Sequence, residues 1–173
     1  MQPTTHALIG ISLVLAYGLL RYRQLPTWRL LFVALFASLL PDVVDKPLAW
    51  TFGLLPSGRV GLHSLPIAIP IIVVVLLVAL YRDRLAYGLV FAWGYLAHIA
   101  ADFWRVLTVG PEYYYYPNLF WPLLAANPDR TPSFDQHVPT IGIDLVVEFA
   151  VLAVVVAYIV FDFQRRYLRS QPR

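Results

Sequence analysis

Two ionisable residues, His98 and Asp102, lie four positions apart inside an apolar and aromatic stretch that runs from about Leu85 to Phe103. On a helix this spacing places both side chains on one face, one turn apart. An ionisable pair is costly inside a membrane-spanning segment, so its presence there indicates a functional site by default. Taken alone, the pair is equally compatible with a metal site and with a hydrogen bond that locks two helices together.

The other side chains with metal-binding chemistry fall at the ends of neighbouring apolar stretches. His6 opens the first stretch, Asp42 and Asp45 follow the second, and His63 precedes the third. Such a mixed set suits Zn²⁺, Mn²⁺ or Fe²⁺, and with more oxygen ligands Mg²⁺ or Ca²⁺. The chain has no cysteine, which excludes thiolate ligands and disulfides. The predicted metal ligands are therefore His6, Asp42, Asp45, His63, His98 and Asp102.

Two basic residues lie close in sequence to these candidate ligands. Arg59 and Lys46 are predicted to hold an anionic group of a substrate or to stabilise developing negative charge. Arg59 could instead contact lipid phosphate, and Lys46 could form an internal ion pair with Asp45. A carboxylate that is not bound to metal, Asp45 or Asp102, is the predicted general base. Ser64 is expected to cap the third helix rather than to act as a nucleophile.

The composition indicates an integral membrane protein. Of the 173 residues, 60% are hydrophobic and 13% are charged, whereas soluble domains carry about 25% charged residues. We therefore expect a single all-α membrane domain over residues 1–173. The 13 basic residues are scattered beside apolar stretches, so the net charge of +3 does not indicate nucleic-acid binding.

The apolar stretches predict a polytopic helical membrane bundle. The five predicted spans cover residues 5–20, 28–40, 65–81, 85–103 and 140–163, with long outer loops at 41–64 and 108–139. If the N-terminus is outside, nine basic residues fall inside and four fall outside. Because basic residues are enriched on the cytoplasmic side, we predict an N-terminus outside and a C-terminus inside.

This topology brings the candidate residues to one depth. All four histidines and eight of the ten acids fall at the predicted outer end. At a helix rise of about 1.5 Å per residue, His6, Asp42 and His98 each lie about 20 Å from the inner end of their spans, within a hydrocarbon core of about 30 Å. Polar groups at one depth on several helices are expected to face one another rather than lipid.

Three further features lie at the predicted outer end. Asp144 and Glu148 are four positions apart on the fifth stretch, where they could form helix-packing hydrogen bonds or support ligating histidines. His137 lies in a proline-rich loop and is expected to be structural or exposed. The tyrosine run Tyr113–Tyr116 and Trp121 are typical of an interfacial aromatic belt, and could equally line an access route for a lipid-like substrate.

Four short elements, taken in order, resemble a known family. They are Thr5-His6, Leu40–Pro47, Gly58–Ser64 and Gly94–Asp102. With these elements, residues 4–122 resemble the YdjM-like, DUF457-type group of small prokaryotic membrane proteins, described as predicted metal-dependent hydrolases. Many members read His-Arg-Gly-x-Thr-His-Ser at the third element, where this chain has Gly58 for the first histidine and Leu62 for the threonine. The resemblance implies a metal site, hydrolytic activity and a location in the prokaryotic inner membrane.

The favoured hypothesis is a metal-dependent hydrolase with its site just below the outer membrane interface. That depth favours an amphipathic substrate, lipid-like or phosphate-bearing, reached from the lipid bilayer. One alternative is a metal or ion transport component, since intramembrane carboxylates and histidines also mark ion pathways. Against it, the inner half of each predicted span has almost no polar residues. The other alternative is a structural membrane protein whose polar layer only packs helices together.

Overall fold

All regular structure in the described part of the chain is helical. The computed structural model describes residues 3–130 and 143–170. The long helices are α1 (Pro3–Tyr22), α2 (Trp28–Lys46), α3 (Leu65–Tyr81), α4 (Leu85–Asp102) and α7 (Ile143–Ser170), and the short ones are α5 (Val106–Val109) and α6 (Tyr116–Leu119). A π-helical turn covers Pro47–Thr51, and 3-10 turns cover Gly61–His63 and Gly110–Glu112. The all-α prediction is confirmed for the residues that the structure describes.

One of the described helices, over Thr4–Tyr22, is long and apolar enough to cross a membrane by length and composition alone. Leu65–Tyr81 is an apolar helix of 17 residues and is shorter than a typical span of about 20. The five-span topology, with the N-terminus outside and the C-terminus inside, stays a prediction.

Helix α2 is longer than the apolar stretch that predicted it. That stretch ends at Leu40, but the helix continues through the buried Pro41 to Lys46. A proline inside a helix cannot donate the backbone hydrogen bond to the residue four positions earlier, which costs stability. The extra turn nevertheless forms, and it places the buried side chains of Asp42 and Asp45 on the last turn of the helix. The alternative that this turn continues past Pro41 is the one the structure adopts.

Helix α4 lies at the centre of the bundle and packs against α1, α2 and α3, while α7 packs against α1 and α2. Glu148 of α7 accepts a hydrogen bond from Thr5 at the start of α1. At the other end of the bundle, Asp162 of α7 accepts a hydrogen bond from the backbone N–H of Trp28, the first residue of α2. Long helices that follow one another in the chain alternate in direction, so the start of α1 and the ends of α2 and α4 meet at one end.

Two glycines allow the helices to approach closely at this packing. A Cβ atom on Gly10 of α1 would lie 2.8 Å from the Cβ atom of Ser38. A Cβ atom on Gly94 of α4 would lie 3.0 Å from the carbonyl oxygen of Ala34 and 3.2 Å from the Cβ atom of Ala37. Small residues at such contacts are the usual means of close helix packing in membranes. The two glycines thus set how near α1 and α4 come to the polar face of α2.

We expect Gly94→Leu to lower the thermal unfolding midpoint of the detergent-solubilised protein, because the added side chain must push α4 away from α2. Overpacking of this kind costs about 1–3 kcal/mol. The matched control is Ala100→Leu, which adds a side chain at an exposed position on the same helix. Equal midpoints for the two variants would show that the α2–α4 contact is not tight.

Candidate metal centre

Four buried side chains form a cluster where α2, α4 and the Gly61–His63 turn meet. Asp42 comes from α2, His63 from the turn, and His98 and Asp102 from α4. Each offers one ligand atom, and these atoms all lie within 4.8 Å of one another. We call these four residues the His/Asp cluster. The helix packing therefore brings together four of the six residues that were predicted from the sequence as metal ligands.

The two histidines of the cluster are held by hydrogen bonds on their outward-facing nitrogens. His98 Nδ1 lies 2.6 Å from the backbone carbonyl oxygen of Ser38, and His63 Nδ1 lies 2.7 Å from Asp45 Oδ2. A carbonyl oxygen only accepts, so His98 Nδ1 must carry a hydrogen, and the carboxylate imposes the same tautomer on His63. In the neutral rings, both Nε2 atoms then carry lone pairs, and these atoms are 3.0 Å apart. Two lone pairs at this distance require a cation or a proton between them.

The spacing of the ligand atoms is close to, and for some pairs wider than, the spacing around a bound divalent cation. For metal–ligand distances of about 2.0–2.1 Å, adjacent ligand atoms lie about 2.9–3.4 Å apart in octahedral or tetrahedral geometry. His63 Nε2 lies 3.4 Å from Asp42 Oδ1 and 3.6 Å from Asp102 Oδ2, and His98 Nε2 lies 3.8 Å from Asp42 Oδ1. Two imidazole nitrogens and two carboxylates also form a chemically suitable donor set for Zn²⁺ or Mn²⁺.

A proton can take the cation's place in the metal-free protein. Burial lowers the pKa of His63, but the carboxylates of Asp42 and Asp45 outweigh burial and raise the pKa to about 9. His63 is therefore protonated at neutral pH when no metal is bound, and its Nε2–H faces His98 Nε2. A metal ion must displace this proton, as it must for any histidine ligand.

His6 lies at the edge of the cluster. Its Nε2 atom is 3.1 Å from Asp102 Oδ1, and its ring centroid is 4.0 Å from that of His98. The ring is buried, and neither nitrogen has a hydrogen-bond partner within the described residues. His6 is thus brought to the site as the sequence predicted, but it is not one of the four residues whose ligand atoms converge. Its free nitrogens suit proton transfer as well as metal binding.

Asp45 differs most from its predicted role. Its Oδ1 atom accepts the backbone N–H of Leu62, and Oδ2 accepts the backbone N–H of His63 in addition to the ring hydrogen of His63. Both oxygens are occupied on the side away from the cluster, because the Gly61–His63 turn wraps around the carboxylate. A Cβ atom on Gly61, whose φ is +58°, would lie 2.7 Å from Asp45 Oδ1. The geometry favours Asp45 as a residue that positions His63 rather than as a ligand or general base.

The two predicted anion-binding residues do lie beside the cluster. Lys46 Nζ is 2.7 Å from Asp42 Oδ2, and Arg59 Nε is 3.5 Å from Asp102 Oδ2. The Arg59 guanidinium also lies 4.8 Å from the ring centroid of Tyr115. Burial lowers the pKa of Arg59, but Asp102 and the other neighbouring acidic groups outweigh it, so the guanidinium stays charged. The Lys46 and Arg59 side chains are 11% and 18% exposed and are the most accessible groups that contact the cluster.

Asp129 organises the outer surface of the site and was not found from the sequence. It accepts hydrogen bonds from Trp50 Nε1 at 2.7 Å, from Ser57 Oγ at 2.8 Å and from the backbone N–H of Gly58 at 2.6 Å, and it pairs with Arg59 at 3.5 Å. A Cβ atom on Gly58 would lie 3.1 Å from the Trp50 ring. An isolated aspartate in a proline-rich loop carries no sequence signal for such a role.

The remaining candidate residues form hydrogen bonds away from the cluster or lie outside the described residues. Glu148 accepts hydrogen bonds from Thr4 and Thr5, next to His6. The Ser64 hydroxyl stands at the start of α3 but donates to the carbonyl of Gly61 at 2.7 Å instead of capping the helix. Tyr114 of the tyrosine run donates to the carbonyl of Pro128. His137 and the side chain of Asp144 lie outside the described residues.

The described residues form a helical protein with a buried His/Asp cluster that could hold a metal ion. Residues 1–168 match the model of a family described as YdjM inner membrane protein. The chain therefore belongs to the YdjM inner membrane protein family, as its sequence elements predicted. Neither a curated protein nor a solved structure matches it.

We expect Asp129→Asn to loosen the outer segments, because the amide nitrogen cannot accept the hydrogen bonds that the carboxylate accepts. Loss of one such charge-assisted bond costs about 1–3 kcal/mol, so the Gly58 amide should exchange its hydrogen roughly 5- to 150-fold faster. Hydrogen–deuterium exchange of the purified protein measures this. Glu112→Gln, an exposed acid in the same outer region, should leave the exchange unchanged. Unchanged Gly58 exchange in both variants would contradict the role given to Asp129.

Proposed function

We propose that this protein is a membrane-embedded metal-dependent hydrolase whose site is the His/Asp cluster, just below the predicted outer membrane interface. The observation that carries the proposal is the pair of imidazole Nε2 atoms 3.0 Å apart, with both Nδ1 atoms already engaged as donors. Two carboxylates complete the donor set in a buried site. Membership of an inner membrane family supports the location.

Asp42, His63, His98 and Asp102 would hold the metal ion, of which Zn²⁺, Mn²⁺ and Mg²⁺ are the candidates. When bound, a divalent cation lowers the pKa of water and polarises a carbonyl or phosphoryl oxygen. Asp45 and the Ser38 carbonyl fix the orientation of the two ligating rings, which keeps their Nε2 lone pairs directed at one point. Binding of the cation would therefore cost no free energy for reorienting the two rings.

His6 is the described group best placed to accept a proton from water. Its Nδ1 atom has no hydrogen-bond partner among the described residues, and its Nε2 atom lies 3.1 Å from Asp102 Oδ1 at the cluster. The Asp102 carboxylate would stabilise the imidazolium that forms, as a carboxylate partner does in other histidine bases. This assigns to His6 the general-base role that the sequence suggested for Asp45 or Asp102.

The substrate is inferred to be amphipathic and to carry an anionic group such as a phosphate. Arg59 and Lys46 are the accessible cations at the cluster, and the planar guanidinium matches the oxygen atoms of a phosphate well. Tyr115 lies on the face of the guanidinium and limits its movement. A site at this depth receives its substrate from the bilayer more readily than from bulk water.

Neither alternative accounts for the cluster as well. A helix-packing role would explain the hydrogen bond from the protonated His63 to His98, but it does not require two further carboxylates, Asp42 and Asp102, beside the same pair of rings. For transport, a polar path should continue toward the other end of the bundle. Among the described residues, the buried charged group at that end is Asp162, which contacts the backbone N–H of Trp28. That contact satisfies the start of α2 and does not extend a path from the cluster.

We expect the purified protein to contain stoichiometric divalent metal, and His98→Ala to abolish it because two ligating rings are needed. Asp45→Asn should retain the site but weaken metal affinity about 10- to 100-fold, since the ring of His63 loses its charged partner. Elemental analysis and metal titration measure these effects. His137→Ala, which removes a histidine outside the predicted site, is the matched control. Metal-free wild-type protein that gains no thermal stability from added Zn²⁺, Mn²⁺ or Mg²⁺ would refute the proposal.

We expect Arg59→Gln to raise KM for lipid phosphates roughly 10- to 150-fold, since one charge-assisted contact is worth about 1.5–3 kcal/mol. The assay follows phosphate release from phosphatidic acid and an isoprenoid phosphate in detergent micelles, with and without chelator. Arg105→Gln is the control, because Arg105 is an exposed arginine three residues beyond the end of α4 and lies over Trp104. A chelator-sensitive activity with the same KM in both variants would remove Arg59 from the binding site.

A further inference from the structure

A groove opens on the bundle at the end opposite the His/Asp cluster. Its volume is about 390 Å³, within the range of about 300–1,000 Å³ that is typical of ligand sites. Its walls come from three helices, with Phe36 from α2, Val74 and Val78 from α3, and Phe91 from α4. These walls are apolar. The proposed hydrolase site does not use this groove, and no role follows from the cluster for the residues that form it.

The groove exists because α2 and α3 both pack on α4 but make little contact with each other. On its α4 side, α2 is tightly packed, since Gly94 meets Ala34 and Ala37 next to the groove residues Val33 and Phe36. The α3 side of the groove stays open, with Val74 59% and Val78 55% exposed. An elongated apolar molecule could therefore lie along it.

Two arginines line the mouth of this groove. Arg82 and Arg84 lie in the short turn between α3 and α4, and both are exposed. Asp83 between them has a φ of +54° and is not one of the lining residues. Neither arginine forms an ion pair within residues 3–130 or the described part of α7. The turn thus places two arginines, without ion-pair partners in the described part of the chain, at the mouth of the apolar groove.

We propose that this groove binds an anionic phospholipid, with one acyl chain between α2 and α3 and the phosphate against Arg82 and Arg84. The distance along α3 from Val74 to Arg82 is about 12 Å, which suits the upper part of an acyl chain below its headgroup. Basic pockets between helices on the cytoplasmic side are where acidic headgroups are recognised, and the predicted topology places this turn on that side. Charge distinguishes this occupant from a zwitterionic lipid or a protein helix.

The test uses the full-length protein in dodecyl maltoside, with lipid binding measured by native mass spectrometry. The probes are dioleoyl phosphatidylglycerol, dioleoyl phosphatidylcholine and soluble glycerol 3-phosphate. R82Q/R84Q removes the positive charges of the two arginines at the groove. Its control, R21Q/R23Q, removes two arginines near the end of α1. V78F fills the groove, and its control V73F enlarges an exposed side chain of α3 that does not line the groove.

Wild-type protein should bind phosphatidylglycerol more tightly than phosphatidylcholine, and R82Q/R84Q should lose this preference, roughly 30-fold for two arginines at about 1 kcal/mol each. V78F should weaken the binding of both lipids, and the two controls should behave as wild type. Equal loss in R21Q/R23Q would overturn the proposal in favour of general surface charge. Glycerol 3-phosphate that competes as well as the lipid would overturn the acyl-chain part. A dimer that phosphatidylglycerol does not dissociate would assign the groove to a second copy of the chain.

Discussion

The hydrogen bonds on the two Nδ1 atoms are the interactions on which the site depends. They fix the tautomers of His63 and His98, so that the two Nε2 atoms face each other at 3.0 Å. Without them, either ring could exchange its hydrogen between nitrogens and make an ordinary imidazole–imidazole hydrogen bond. The partners are a buried carboxylate, Asp45, and the backbone of Ser38, both on α2. The helical turn beyond Pro41 therefore supplies a ligand and the support of another ligand.

The charges around the cluster would also suit a divalent cation. Burying carboxylates without compensation is very costly, so the sum of the local charges is constrained. Four carboxylates belong to the cluster or contact one of its residues or its basic partners: Asp42, Asp45, Asp102 and Asp129. The basic partners are Lys46 and Arg59. A divalent cation neutralises the two remaining negative charges, whereas a protonated His63 neutralises only one. Without a metal ion the cluster would therefore keep one uncompensated negative charge, even though the ring nitrogens of His63 and His98 have hydrogen-bond partners.

Sequence patterns predicted the features that depend on residues close together in the chain. They missed the contacts that form only when distant segments fold together. Apolar stretches and the spacing of His98 and Asp102 specify a helix and a shared face, because helical periodicity is a local property. Whether Asp45 ligates a metal or supports His63 depends on the Gly61–His63 turn folding over it, which no spacing encodes. The contact of Asp129 with Ser57 and Gly58 joins segments about 70 residues apart, so it arises only from the tertiary fold.

The two ends of the bundle differ in packing in a way that suits different ligands. Beside the cluster, glycines bring α1 and α4 close to α2, and the four ligand atoms lie within 4.8 Å of one another. A metal ion demands this rigidity, because its ligand distances are fixed. At the other end, α2 and α3 stay apart and leave an apolar slot beneath Arg82 and Arg84. An acyl chain needs no fixed positions, only apolar contact, and a looser interface is sufficient to hold it. The α2–α4 contact is thus close beside the cluster, where a bound metal ion would require precise ligand positions, whereas α2 and α3 stay apart at the groove, where an acyl chain would not.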